Sequence, residues 1–330
     1  MTDVETGAMA ARQDETLTLP RERHPEWVQP MLATLTENYF SDPAWIFERK
    51  LDGIRALAFR DGKRIRLLSR NKLDLAGSFP DVVEALAEQP ERDFVVDGEV
   101  VAFEGGMTSF SRLQRRGMGS RVPVFYYLFD IMHLDGKNTR ELPVIARKKL
   151  LREAIDFSPR ALRFTTHRTT FGERYLDEAC SKRWEGLIAK NTSSPYEGRR
   201  SRNWLKLKCV NEQELVIGGF TDPRGSREGF GALLVGYYEN GELRYGGAVG
   251  TGFDRDLLLS LHEKLVKLEQ PEAPFARNGL PRKGVHWVRP KLVAQVGFAE
   301  WTRDGKLRHP RFLGLRTDKS PKDVVRERPK

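Results

Sequence analysis

Cysteine is nearly missing from this chain. Cys180 and Cys209 are the only two in 330 residues. Neither has a C-x-x-C partner, so neither a disulfide scaffold nor a zinc site is expected. The six histidines, His133, His167 and His286 among them, are scattered without ligand spacing. Most are expected at the surface or as satisfied core residues. No apolar run approaches the roughly 20 residues of a spanning helix, and the longest, Ala232–Tyr238, reads as a strand. The N-terminus, MTDVETGAMAARQDET, is polar and has no signal-peptide core. Internal repeats and low-complexity tracts are also lacking. These absences argue against a disulfide-stapled secreted domain and a helical membrane protein, and lead us to expect a cytoplasmic one.

What is there points to polyanions. The 56 Lys and Arg outnumber the 46 Asp and Glu, for a net charge of +10, which favours nucleic acid or nucleotides as partners. Hydrophobic residues make up 39% and charged residues 31%, the balance of a globular protein with ordinary cores. The length allows two domains.

In chain order, residues 1 to about 25 are expected to be a flexible lead-in, with order beginning at Pro30-Met31-Leu32-Ala33. Ile54–Arg60 and Arg64–Arg70 flank Asp61-Gly62-Lys63, a hairpin signal. Phe79-Pro80-Asp81 opens a helix. Asp93–Phe103 reads as a hairpin or bent strand around Asp97-Gly98, and Phe110–Arg116 as a short basic helix. Val122–Leu134 is apolar nearly throughout, as in a strand buried on both faces. Val144–Ile155 and Arg174–Trp184 are amphipathic helices, leading to strands at Glu185–Lys190 and Trp204–Lys208. At about Asn211 the texture changes. Short strands at Leu215–Phe220, Gly231–Tyr238 and Leu243–Val249 precede one helix, Arg255–Leu268. Strands follow at Val285–Arg289 and Leu292–Trp301, with a last one ending near Leu315. Several strands around one helix suggest a small Greek-key barrel of the OB type.

One stretch organises the chemistry: Trp45–Leu57, WIFERKLDGIRAL, with Lys50-Leu51-Asp52-Gly53 after a strand-like run. A lysine free in water titrates near ~10.4 and is seldom the neutral amine a nucleophile must be. Burial or a neighbouring cation lowers that value. Taken singly, Lys-x-Asp-Gly is an ordinary turn after a surface lysine. Five other clusters change its weight: Arg70 in LLSRN, Asp97-Gly98-Glu99, Phe129-Asp130, Glu185-Gly186 opening EGLIAK, and WLKLK, whose Lys206 and Lys208 leave one face of a strand. RHPRFLGLRTDK adds Arg308, Arg316, Asp318 and Lys319 near the C-terminus. A nucleophile, an aromatic platform, carboxylates and many cations are what binding ATP and attacking its α-phosphate require.

In order and spacing these motifs resemble the covalent nucleotidyltransferases, specifically the ATP-dependent DNA ligases. KLDG matches motif I, DGEVV motif III, YYLFDIMHLDG motif IIIa, EGLIAK motif IV, WLKLK motif V and FLGLRTDK motif VI. The resemblance runs from Pro30 to about Val325. PMLAT, FERKLDG and RFLGLRTDK look most like the bacterial end-joining ligase module, here in a minimal two-domain form. It implies an α+β fold: a nucleotidyltransferase (adenylation) domain of antiparallel sheets and flanking helices over 26–209, after a lead-in of 1–25. An OB-fold β-barrel carrying motif VI then occupies 210–330, with a hinge near Cys209–Asn211.

The resemblance also assigns roles. Lys50 is the nucleophile that takes AMP from ATP, with Asp52 in the same motif. Mg²⁺ (or Mn²⁺) is implied, tied to Glu185 and Glu99. Phe129 stacks on adenine with Glu48 near the base edge. Arg55, Arg70 and Glu99 hold ribose and phosphate, with Lys190 in the nucleotide site and Arg202 a further phosphate contact. Lys206 and Lys208 contact the α-phosphate. Arg316 and Lys319, with Asp318, orient the pyrophosphate. A cluster of cations around Lys50 is expected to help its amine lose a proton. AMP then passes to the 5′-phosphate of a break, and a 3′-hydroxyl displaces it. The implied partner is nicked or broken duplex DNA, in repair and also in replication or recombination, with Ku and a repair polymerase acting in trans. The protein is expected to be a nucleoid-associated monomer. An RNA ligase or a GTP-dependent capping-type nucleotidyltransferase is the nearest alternative. A nucleic-acid-binding protein without catalysis is the alternative of another class.

Overall fold

The computed structural model describes residues 19–110, 112–113, 122–209, 211–276, 279–281 and 283–328. The chain divides into two compact units, one running to Cys209 and the other spanning Val210–Arg328.

Two sheets build the first unit. One is seven-stranded: β3 (Ile54–Asp61), β4 (Arg64–Ser69), β5 (Asp93–Glu104), β6 (Met107–Thr108), β7 (Val124–Leu134), β8 (Lys137–Asn138) and β9 (Leu162–Phe164). Its main path runs β4-β3-β5-β7-β8, with β6 on β5 and β9 on β7. The other orders β1 (Leu32–Leu35), β12 (Arg200–Lys208), β11 (Gly186–Asn191), β2 (Trp45–Arg49) and β10 (His167–Arg168). Helices α1 (Pro80–Ala87), α2 (Val144–Ala154) and α3 (Gly172–Ser181) flank them. Pro80 starts α1, where its missing N–H goes unused.

Three apolar clusters explain the layering. Ala56, Ala58, Val96, Val100, Tyr126 and Leu128 pack with Val82 and Leu86 of α1 and Leu150 and Leu151 of α2. Alternate residues of the same strands, Leu57, Phe59, Val95 and Met132, pack with Trp204 of β12 and Tyr196. On the second sheet Phe47, Leu187, Ala189 and Leu207 bury α3 through Tyr175, Leu176 and Ala179. Burial on both faces accounts for the nearly unbroken apolar run of β7.

Several expectations change here. Lys50–Gly53 is not a hairpin turn: β2 and β3 lie in different sheets, so the tetrapeptide is the crossover between them. Asp97-Gly98 is not a turn either, since β5 runs through it. The strand is bent there, because its register with β7 steps from Asp97↔Asp130 to Gly98↔Leu128 and leaves Phe129 as the extra residue. A bulge re-aims the side chain it carries. Residues 19–25 are tied down, with Asn138 N donating to Pro20 O at 3.1 Å and Glu22 N to Gly136 O at 2.9 Å. Residues 1–18 of the expected lead-in lie outside the described residues. Of the basic helix expected over Phe110–Arg116, Phe110, Arg112 and Leu113 are helical, and the remainder lies outside them. The two cysteines do pair, in a Cys180–Cys209 disulfide. Twenty-nine residues apart, they are brought together because α3 packs on the sheet whose strand β12 runs directly into Cys209.

The second unit is an OB-like barrel. Its sheet runs β15 (Glu242–Val249), β14 (Leu233–Glu239), β13 (Asn211–Thr221), β17 (Val285–Phe298) and β16 (Glu269–Gln270), and β20 (Arg311–Arg316) pairs with β17. A bridge from Thr251, just past β15, to Arg311 of β20 closes the curl. Helix α4 (Arg255–Val266), capped by the Asp254 carboxylate on Leu257 N, places Leu258, Leu261 and Leu265 in the core. Two short strands, β18 (Glu300–Trp301) and β19 (Leu307–Arg308), pair beside it. The strands expected at Val285–Arg289 and Leu292–Trp301 are largely one. Its register with β13 jumps from Ile217↔Leu292 to Gly219↔Trp287, so Pro290 sits in a bulge, where its missing N–H breaks no ladder. Among the described residues no helix is long and apolar enough to cross a membrane.

Candidate active site

Lys50 sits where the chain leaves one sheet for the other. Its amide donates to Gly186 O at 2.9 Å, so the start of β11 holds it. Gly53 lies against β5, and a Cβ there would strike Val100 O. Gly186 has φ +145°, and a Cβ would meet Leu207 O. Both glycines let backbone come close on either side of the lysine.

The Lys50 amine forms an ion pair with the Glu185 carboxylate, the side chains being 19% and 8% exposed. Burial by itself would lower the amine's pKa, but Glu185, then Asp52 and Glu99, more than reverse that and raise it above the ordinary lysine value. The expectation of cations easing deprotonation is therefore corrected: the groups that set this amine's charge are carboxylates, and they hold its proton. Asp52 also has a fixed local task. Its carboxylate accepts from Phe110 N at 3.0 Å, and its own amide donates to Thr108 Oγ1 at 3.1 Å. It anchors the crossover to the segment after β6.

Arg55 and Glu99 are register partners on β3 and β5 and so share a face. The Arg55 guanidinium is gripped by buried Asp97, Nε to Oδ1 at 3.0 Å and Nη2 to Oδ2 at 2.5 Å, and Nη1 donates to Met31 O at 2.6 Å. Burial opposes the Arg55 charge, and Asp97, with Tyr196 and Glu99, more than restores it, so its pKa is raised. The Tyr196 hydroxyl donates to Asp97 Oδ2 at 2.7 Å, and burial, with Asp97, pushes its pKa well up. Beside this network lies the Phe129 ring, packed edge-on against Trp204 at 6.1 Å. Arg55 lies 5.4 Å from its centroid and Lys190 Nζ 4.5 Å.

Glu48, only 2% exposed, is clamped between two lysines: Oε1 is 2.5 Å from Lys148 Nζ and Oε2 is 2.8 Å from Lys190 Nζ. Burial raises its pKa, the two ammonium groups lower it further, and the net is a stable carboxylate. Burial and Lys148 together lower the pKa of Lys190 against the pull of Glu48. On β12, Lys206 and Lys208 alternate with Leu205 and Leu207; the leucines face α3, so the lysines face the other way. Arg70 follows β4, partly buried, and Arg202 is exposed on β12. In the barrel, Arg316 makes a two-point contact with buried Asp318, Nε and Nη2 each at 2.9 Å, and Lys319 pairs with Glu214 at 2.8 Å.

Sequence reasoning placed Asp97 in a turn and passed over Tyr196, Arg147 and Lys148. Arg147 locks buried Asp130 in the same two-point way, Nε to Oδ1 at 2.7 Å. A signal existed: Val144, Arg147, Lys148 and Leu151 recur at helical spacing, so two cations occupy the inward stripe of α2. Charges placed there need buried carboxylates, and the strands supply Asp130 and Glu48.

A family model described as "ATP dependent DNA ligase domain" matches residues 30–208, and one described as "ATP dependent DNA ligase C terminal region" matches 226–319. The chain belongs to the ATP-dependent DNA ligase family. It is 38% identical over 317 residues to the multifunctional non-homologous end joining protein LigD of Pseudomonas aeruginosa, covering 92% of this chain and 37% of that protein. To LigD of Mycobacterium tuberculosis it is 40% identical over 310 residues, covering 90% and 40%. The chain thus spans about two fifths of the length of these LigD proteins. Among solved structures, mycobacterial DNA ligase D complexed with ATP and MES is 36% identical, with 91% of this chain and 98% of that one covered and a TM-score of 0.66. The nucleotidyltransferase-plus-OB architecture read from the motifs is that of this family.

Proposed function

We propose that this ligase-family chain seals 3′-hydroxyl/5′-phosphate breaks in duplex DNA through a lysyl-AMP and a DNA-adenylate, in end joining like the LigD proteins it resembles. The observation that carries the reading is the Lys50 amine at the sheet crossover, ion-paired with Glu185, while Glu99 acts on both that amine and Arg55 of the Arg55–Asp97–Tyr196 network beside the Phe129 ring.

In the first step Lys50 Nζ, after losing a proton, bonds to the α-phosphorus of ATP, and the bond to pyrophosphate breaks. Chemistry of this kind depends on positioning and on neutralising charge. Phe129 offers adenine a face, and Glu48 helps shape the base edge while its own charge is cancelled by Lys148 and Lys190. Arg55, Arg70 and Glu99 hold ribose and phosphate. Lys206 and Lys208 neutralise the α-phosphate, and Arg202 adds a contact. From the barrel, Arg316 and Lys319 serve departure of pyrophosphate, with Asp318 fixing the Arg316 fork. The oxygen donors Glu185 and Glu99 beside Lys50 fit Mg²⁺ or Mn²⁺; such an ion supplies charge neutralisation on the nucleotide phosphates. In the second step the nitrogen–phosphorus bond breaks as a 5′-phosphate oxygen takes AMP and Lys50 regains a proton. In the third, a 3′-hydroxyl attacks that phosphate and AMP leaves. Ku and a repair polymerase in trans are the proposed partners, and the net charge of +10 suits a DNA backbone read without sequence.

The test is a sealing assay on nicked duplexes with ATP or GTP. Joining of nicked DNA with ATP supports the proposal. Joining only of RNA nicks, or a guanylate adduct, replaces it with the RNA-ligase or capping-type reading. DNA binding with no covalent nucleotide leaves the non-catalytic one. A finer prediction concerns motif VI. Arg316→Ala is expected to lower self-adenylation by about 100-fold or more, the effect of losing one charged transition-state contact, yet to seal a pre-adenylated nick at close to the wild-type rate. Equal losses in the two assays would refute the first-step role.

A further inference from the structure

Outside the proposed catalytic machinery, four polar side chains meet at the end of the seven-stranded sheet. Asp93 opens β5, His133 lies near the end of β7, and Glu22 and His24 come from the N-terminal segment that crosses them. Asp93 Oδ1 is approached by two imidazole nitrogens, His24 Nδ1 at 2.8 Å and His133 Nε2 at 3.1 Å. Its Oδ2 accepts from Gly136 N at 2.7 Å. The nitrogens and the carboxylate oxygen lie within 4.8 Å of one another.

The far sides of the rings are what hydrogen bonding alone leaves unexplained. His133 is fully buried, and its Nδ1 has no hydrogen-bond partner; nor do His24 Nε2 and Glu22 Oε2, both buried atoms. His133 Nδ1 and Glu22 Oε2 face each other at 3.7 Å. If each neutral ring donates its one proton to Asp93, a bare nitrogen lone pair points at a carboxylate, and burying such a pair is costly. The opposite tautomer turns this arrangement around. With the proton on His133 Nδ1, that N–H is aimed at Glu22, and Nε2 presents a lone pair towards Asp93 Oδ1. A cation is then needed among His24 Nδ1, His133 Nε2 and Asp93 Oδ1. No proton is gained or lost in this exchange, because each ring only shifts its own from one nitrogen to the other.

We propose that His24, Asp93 and His133 form a divalent transition-metal site, with zinc the best-matched ion, and that Glu22 orients His133 from behind. Two imidazoles and a carboxylate are ordinary zinc donors, and a ligating histidine commonly gives its other N–H to a carboxylate. A tetrahedral ion keeps its donors about 3.4 Å apart, so the His133–Asp93 distance of 3.1 Å and the His24–Asp93 distance of 2.8 Å need to open by about 0.3 and about 0.6 Å. Asp93 is 31% exposed while His133 is sealed, so solvent reaches the site from the carboxylate side. Glu22 is itself held by Arg140 Nη2 at 2.5 Å. The site would pin the segment from Pro20 onto β5, β7 and β8. That segment continues to Met31, whose carbonyl receives Arg55 Nη1. The ion is thus a staple whose far end lies beside the nucleotide network, and it is separate from the cation proposed at Glu185.

The test uses the full chain, stripped with chelator, given one equivalent of zinc in excess Mg²⁺ and then desalted. Wild type is expected to retain about one zinc per chain and to gain thermal stability from it. His24→Gln, a change at a partly exposed ring, is expected to lose both while still forming lysyl-AMP with ATP and Mg²⁺. X-ray absorption at the zinc edge of wild type should show a nitrogen/oxygen shell with imidazole scattering. Zinc content equal in wild type and His24→Gln, whether near zero or near one, would overturn the assignment. A bound zinc without imidazole scattering would do the same.

Discussion

Lys50→Ala protein incubated with ATP and Mg²⁺ is expected to keep its unmodified mass, while wild type gains one AMP per chain. Lys50→Arg should be equally inert, because a guanidinium stays protonated at any working pH and has no lone pair to offer phosphorus. The pair of variants separates chemistry from folding. Alanine leaves Glu185, 8% exposed, without its counter-ion, a loss of roughly 1–3 kcal/mol at a partly hydrated pair. For a unit of this size that lowers the melting temperature by about 2–4 °C per kcal/mol. Arginine keeps a positive charge beside Glu185 and should melt closer to wild type. A stable Lys50→Arg protein that still acquires AMP would mean that another side chain carries the adduct, and the mechanism proposed here would fall with it. Sealing of a pre-adenylated nick should survive in both variants far better than sealing that starts from ATP.

The motifs were legible because each lies within a few residues along the chain. Alternation in WLKLK separates lysines from leucines, and the structure keeps that separation. What could not be read was anything set by two distant segments meeting. Asp97 looked like half of a turn, yet its carboxylate is the buried base of the Arg55–Tyr196 network. Lys148 and Glu48 stand one hundred positions apart, and no local pattern joins them, although two cations on the inward stripe of α2 hinted that carboxylates waited opposite. The cysteines illustrate the same limit, since a 29-residue spacing says nothing until α3 folds onto its sheet. The sign of the field at Lys50 was misjudged for a related reason. The roles implied for Lys206, Lys208, Arg316 and Lys319 suggested a cationic nest, whereas the groups that bear on the amine are Glu185, Asp52 and Glu99.

That reversal gives Glu185→Gln the second large expected effect. In the wild type, burial is the largest single influence and favours the neutral amine, but Glu185, with Asp52 and Glu99, together outweighs it, so the amine titrates above its ordinary range and its reactive fraction grows as pH rises. Glutamine keeps the shape and removes the charge. Burial then acts with less opposition, the amine's pKa falls, and the reactive fraction is reached at lower pH. Self-adenylation should nevertheless drop by about 100-fold or more, since the carboxylate beside the nucleophile and a proposed ligand for the divalent ion are lost together. The signature is the combination: a much slower reaction whose pH–rate profile has moved toward acid. Glu99→Gln removes a weaker contributor to the same field and should shift the profile less. If Glu185→Gln adenylates itself at the wild-type rate with Mg²⁺ supplied, Glu185 is neither the metal ligand nor the controlling counter-ion. If the rate falls while the profile stays in place, its role is confined to the metal, and some other group governs the proton on Lys50.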